Sequence, residues 1–203
     1  MKKVSLLYFL VVLAIALILF YHAYRDLAPV TLIVRSFGLI SYFLISLSLM
    51  IGPLARIKPE IFAEFIEPRR AIGVLAFVFA LFHGFLVSSI YFNFDFLKIS
   101  SQLNLLVGQI ALFLMTILAF TSLDYAVKKL GLKMWKLIHS FNFLVFILTS
   151  YHFLSKSNGL FTAIDGDLAN LNFVELFLVL LGLLILIIRI YDFYLIRFLR
   201  KNN

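Results

Sequence analysis

The chain has 203 residues, of which 64% are hydrophobic and only 14% charged, with a formal net charge of +8. A soluble domain of this size carries roughly 25% charged residues, so the composition excludes a soluble globular protein and points to an integral membrane protein. There is no cysteine, which removes disulfides, thiolate nucleophiles, cysteine-ligated zinc and iron–sulfur clusters, and the basic excess fits one face of a bilayer better than nucleic acid.

A spanning helix takes about 20 mostly apolar residues. Six stretches qualify: residues 4–22, 36–54, 70–92, 103–123, 135–155 and 171–195. They predict an all-α, six-transmembrane-helix bundle forming a single domain over residues 1–203, with short connections and no nucleotide-binding fold after the sixth stretch. The first stretch follows two lysines, as a signal peptide would. Its apolar run from Val4 to Phe20 is longer than the usual ~7–15 residue core, and no A-x-A site follows. It is read as a retained helix.

The second connection contains PEIFAEFIEP, in which Glu60, Glu64 and Glu67 share one helical face, Phe62 and Phe65 lie away from it, and Pro59 and Pro68 bound it. This predicts one or two turns at the membrane interface, or a plain connector.

Basic residues set the orientation. One side holds Lys2, Lys3, Arg56, Lys58, Arg69, Arg70, Lys128, Lys129, Lys133, Lys136, Arg189, Arg197, Arg200 and Lys201. The other holds Arg25, Arg35, Lys98 and Lys156. This asymmetry places both termini of a multi-pass membrane protein in the cytoplasm.

The four histidines differ in depth. At 1.5 Å per residue, His83 lies ~20 Å beyond Arg70, His139 ~6 Å beyond Trp135 and His152 ~25 Å beyond it. The third and fifth stretches both run outward, so His83 and His152 share the outer half of the membrane, while His139 lies near the inner face and His22 at the outer surface. An imidazole in a bilayer needs a partner for each nitrogen. A metal takes one, and a carbonyl can accept from the other. Two histidines at matched depth suit the two axial positions of a heme iron. A bare zinc or copper site would want three or four clustered ligands, and neither the third nor the fifth stretch has Asp, Glu or Cys at that depth. The structural alternative is a set of interhelical hydrogen bonds to Ser, Thr or Asn. His139 and His152 are 13 residues apart, about 140° off a shared face on a straight helix.

The stretches IGPLARI, RRAIGVLAFVFALFHGFLVSSIY, ILAFTS and KKLGLKMWKLIHSFNFLVFILTSYHF carry a resemblance. Over residues 36–155 the chain resembles the ferric-reductase-like transmembrane domain. Within it, the chain is most similar to the heme-binding membrane subunits of periplasmic methionine-sulfoxide reductase systems (the MsrQ/YedZ type). The resemblance implies a six-helix bundle with one or two b-type hemes, carrying electrons from the cytoplasmic to the outer face. It places His83, His139 and His152 at heme-iron ligand positions. Larger relatives carry a further inner histidine where this chain has Arg69, so His139 lacks its expected partner on the third stretch. Met50 and Met134 lie at suitable depth, although packing is the commoner use of methionine.

Arg70, with Arg69, Lys133 and Lys136, can neutralise heme propionates or dock an anionic flavin, or simply anchor the inner edge. Gly73 and Gly84 allow close approach of a macrocycle or a neighbouring helix. Asp165 and Asp167 could face a partner protein, and His22 a quinone; both are also ordinary surface residues. The expectation is an electron-transfer subunit rather than a complete enzyme. Its donor is a cytoplasmic flavin reductase or the quinone pool, with FMN or quinone as a further cofactor, and its acceptor is a periplasmic molybdenum-dependent reductase. A stand-alone ferric or other metal reductase is the alternative within the class. A non-heme transporter or assembly factor is the alternative outside it.

Overall fold

The computed structural model describes residues 8–9, 12–13, 15–17, 19–21, 28–156 and 173–202, with side chains described up to residue 194. Most of the first predicted stretch, with His22, and the loop with Asp165 and Asp167 lie outside the described residues. Among the described residues, five helical stretches are long and apolar enough to cross a membrane: Pro29–Ile57, Pro59–Phe92, Leu103–Thr121, Asp124–Leu154 and Phe173–Tyr194.

Helix α1 (Pro29–Ile57) opens on a proline at its first position, where the missing N–H has no helical acceptor to lose. It starts seven residues before the predicted apolar stretch. This is the central helix. Ile40, Leu44 and Leu49 are fully buried, and the core also takes Ile72, Met115, Phe146 and Leu178 from other helices. Lipid offers no hydrophobic drive for helices to associate, so packing and hydrogen bonds must supply it. The buried serines of α1 fit this role. Ser41 donates to the Ala76 carbonyl at 2.8 Å, and Ser48 to the Arg69 carbonyl at 3.3 Å.

A short helix α2 (Pro59–Phe62) and a 3-10 turn (Ala63–Phe65) lead into α3 (Ile66–Phe92). Glu60, Glu64 and Glu67 are exposed and Phe62 and Phe65 half-buried, the pattern expected of interfacial turns. Pro68 falls inside the first turn of α3, where proline is tolerated, rather than ending the preceding segment. Asn93 closes α3 in the left-handed conformation at φ 47°. The Asp95 side chain then caps α4 (Phe96–Ser100) by accepting from the Lys98 N–H at 3.0 Å.

Helix α5 (Leu103–Thr121) is followed by α6 (Asp124–Ser140) and α7 (Asn142–Leu154). The predicted fifth stretch is thus two helices separated at Phe141, and α6 bends again at Gly131, whose φ is 72°. Helix α8 (Phe173–Asn202) packs on α1. There Arg56 and Asp192 form a two-pronged ion pair, with Arg56 Nε donating to Asp192 Oδ1 at 2.8 Å. Helix α3 packs chiefly on α1 and α7 chiefly on α5, so the histidine-bearing helices stand on two different supports. Phe120, Leu180 and Ile187 are exposed, as lipid-facing side chains are.

Candidate functional site

His83 projects from α3 toward α1, and His152 from α7 toward α5. The His83 Nδ1–H donates to the Val34 carbonyl at 2.8 Å. The His152 Nδ1–H donates to the Asn104 carbonyl at 2.7 Å. A carbonyl can only accept, so the proton must sit on Nδ1 in both rings. Each neutral Nε2 is therefore left with its lone pair. Among the described residues, no hydrogen bond reaches either Nε2.

The two rings face each other with centroids 6.3 Å apart and planes at 73°. An ion bonded to both Nε2 atoms at the typical metal–imidazole length of about 2 Å would hold the centroids a little over 6 Å apart. The interplanar angle is unconstrained, because each ring can turn about the bond axis. The separation, the fixed tautomers and the free Nε2 atoms fit a pair of residues that would hold one metal ion between them. Among the described residues there is no cluster of three or more His, Cys, Asp or Glu, so the donor set does not suit a bare tetrahedral ion.

Both rings line a cavity of 990 Å³ between α1, α3, α5 and α7. That lies at the upper end for cofactor pockets, which run to about 1,000 Å³. Gly38, Gly84 and Gly108 line it, as do Arg35 and Lys156.

His139 is held differently. It stacks on Trp135 at 4.3 Å, and Trp135 Nε1 donates to the Thr121 carbonyl at 3.1 Å. The His139 Nε2 lies 3.3 Å from Thr121 Oγ1. The Thr121 hydroxyl proton already goes to the Ile117 carbonyl at 2.8 Å, so His139 is the donor. Its free lone pair is thus on Nδ1, opposite to the other two rings. The structure brings His83 and His152 together and leaves His139 apart from that pair.

Arg70 meets Asp124 Oδ1 at 2.8 Å, and Asp124 is almost fully exposed. Such a pair contributes little to stability, but it ties the starts of α3 and α6 together. Met50 packs against the core, and Met134 is exposed. Gly84 lies tight against Leu112, as helix packing requires. The carbonyls of Val34 and Asn104, which fix both rings, were not apparent from the sequence, because every residue type carries one.

Two imidazoles opposed in a cavity of a membrane-spanning helical bundle define a candidate cofactor site within a multi-pass membrane protein. The chain belongs to the ferric reductase like transmembrane component family, which it matches over residues 37–150. It is 32% identical over 143 residues to the protein-methionine-sulfoxide reductase heme-binding subunit MsrQ of Polaromonas naphthalenivorans, covering 66% of this chain and 64% of that one. An Enterobacter MsrQ is 32% identical over 112 residues, covering 53% of this chain and 55% of that one. The magnetosome protein MamZ of Magnetospirillum gryphiswaldense is 28% identical over 135 residues, 64% of this chain but only 20% of MamZ. The matched part of the chain thus spans 20% to 64% of the length of these relatives. No solved structure matches.

Proposed function

We propose that this protein is a b-type heme membrane cytochrome. In this reading it relays electrons from quinol or a cytoplasmic flavoprotein to a periplasmic reductase of the methionine-sulfoxide repair type. The observation that carries the reading is the opposed pair: His83 and His152, centroids 6.3 Å apart, with both Nδ1 protons committed to carbonyls. The family and the names of the MsrQ relatives support heme and the class of acceptor.

His83 and His152 would hold the iron. Bound there, heme supplies a one-electron couple in an environment of low dielectric. The carbonyls of Val34 and Asn104 hold Nδ1 of each ring and leave Nε2 as the nitrogen that would bind the iron. Arg35 and Lys156, at the cavity wall, supply positive charge for propionates. His139 is the candidate ligand of an inner heme, with Nδ1 as its available nitrogen. Arg70 is the candidate for a propionate or an anionic flavin at the same pole. In this reading both termini are cytoplasmic, which the distribution of lysine and arginine supports.

The test is a spectrum followed by a transfer assay. Protein purified from heme-supplied cells should show a Soret band and sharp α and β bands on reduction. In vesicles, quinol or a reduced flavoprotein should reduce it, and a periplasmic methionine-sulfoxide reductase should reoxidise it. An intact protein without a Soret band would refute the cytochrome. Reoxidation by ferric chelates but not by that reductase would favour a stand-alone metal reductase.

A further inference from the structure

The two ligand carbonyls share a local construction. Val34 accepts from His83 and Asn104 from His152, and one turn further along each supporting helix stands a glycine, Gly38 and Gly108. In a helix the Cα–Cβ bond tilts toward the N-terminus, so a Cβ at position i+4 leans over the carbonyl of residue i. That carbonyl has a second lone pair beyond its helical bond. Without a Cβ at i+4, the lone pair is open to a donor arriving from the side.

The distances show how tight the fit is. A Cβ on Gly38 would lie 3.0 Å from both Nδ1 and Cε1 of His83. On Gly108 it would lie 2.9 Å from Nδ1 and 3.0 Å from Cε1 of His152. The construction occurs a third time with a different donor. Arg69 Nε donates to the Ser48 carbonyl at 2.9 Å, and a Cβ on Gly52, one turn on, would lie 2.7 Å from Arg69 Nη1. Gly38 and Gly52 are as far apart on α1 as Arg69 and His83 are on α3. The seat is therefore a property of the glycine and its upstream carbonyl, not of histidine. Gly73 is a contrast: a Cβ there would meet only Ser48 Oγ at an ordinary 3.5 Å.

We propose that Gly38 and Gly108 are positioning residues for the iron ligands, each holding its imidazole against a carbonyl and thereby setting the electron density at Nε2. This rests on the heme reading above. An Nδ1–H donating to a carbonyl makes the ring a stronger donor to the metal, which favours ferric over ferrous iron and keeps the potential low. A methyl group in the seat pushes the ring off the carbonyl and weakens that preference.

The experiment is a redox titration and a low-temperature electron paramagnetic resonance spectrum of G38A, G108A and G73A beside wild type, with heme content measured in each. G38A and G108A should bind heme with a raised midpoint potential and a shifted low-spin signal. A tenfold loss of ferric preference reads as 59 mV for one electron. G73A should match wild type. A second measurement does not depend on how the alanine variants fold. In H152G, added imidazole should restore the wild-type potential. N-methylimidazole, which offers the same metal-binding nitrogen but no N–H, should bind more weakly or give a higher potential. If wild type carries the His83–His152 heme but both alanine variants keep its potential and spectrum, or the two imidazoles act alike, the positioning role is wrong and the heme assignment stands. If wild type carries no such heme, the heme assignment itself fails.

Discussion

The Tyr42 hydroxyl lies 3.0 Å from Ser150 Oγ, joining the central helix to α7 two residues before His152. Ser150 already gives its proton to the Phe146 carbonyl at 2.7 Å, so Tyr42 is the donor. The Tyr42 ring also stacks on Phe153 at 5.2 Å and on Phe146 at 5.8 Å. One side chain thus braces α7 on both sides of His152.

Tyr42→Phe removes the hydrogen bond and keeps the stacking. Interhelical hydrogen bonds of this kind contribute about 0.6 kcal/mol on average and at most about 1.7, so a small loss of stability is expected. Tyr42→Ala also removes the stacked ring and should cost about 3–5 kcal/mol. Thermal denaturation in detergent, followed by loss of helical signal, ranks the two variants. Equal losses would mean that the ring does not brace the helix.

The Arg56–Asp192 pair makes an asymmetric prediction. Asp192 is almost fully buried and Arg56 half-exposed. Asp192 also offsets Arg189, whose Nε is buried without a hydrogen-bond partner among the described residues, and the cations of Arg56, Arg69 and Arg189 repel one another. Asp192→Asn leaves these cations uncompensated and should destabilise by about 3 kcal/mol, the lower end for a broken buried pair, because Arg56 reaches water. Adding Arg189→Gln should recover part of the loss. A double-mutant cycle on melting temperature measures the coupling, and strict additivity would show that the two residues act separately.

Gly131 sits at φ 72° and ψ 158°, a region nearly restricted to glycine, with nothing within 4 Å of where a Cβ would lie. Gly131→Ala therefore meets backbone strain alone, about 1–3 kcal/mol. Stability should fall while the heme spectrum stays as in wild type. A changed spectrum would mean that the bend in α6 helps to shape the site.

The depth of the histidines was legible in the sequence, because a rise of 1.5 Å per residue converts position to depth without knowledge of packing. That alone matched His83 with His152. The 13-residue offset of His139 from His152 was also legible, but its resolution was not. The helical pattern is interrupted at Phe141, between α6 and α7, so the rotation expected of one regular helix does not carry across it. Gly73 and Gly84 stood out in the sequence because they lie on the histidine helix. The glycines that touch the rings, Gly38 and Gly108, lie on the facing helices, and their roles depend on how neighbouring helices align. Residue spacing within one helix does not encode that alignment. The start of α6 at Asp124 was missed because its lysine-rich face breaks the apolar run, although the helix continues.

His139→Ala should leave the spectrum of the His83–His152 heme in place, because His139 bonds to Thr121 and stacks on Trp135, apart from that pair. Any change should be confined to a second heme component or to the rate of electron entry. Stopped-flow reduction by quinol and by a reduced flavoprotein separates the two effects. Loss of the whole heme signal in His139→Ala would contradict this placement.

The most direct test of the central claim is the low-temperature electron paramagnetic resonance spectrum of the ferric protein, compared among wild type, His83→Ala and His152→Ala at equal amounts of folded protein. Wild type should give a low-spin signal of two imidazole ligands. In each variant that signal should be lost, with high-spin iron or no iron in its place. A low-spin signal unchanged in both variants would show that these two histidines do not hold the iron.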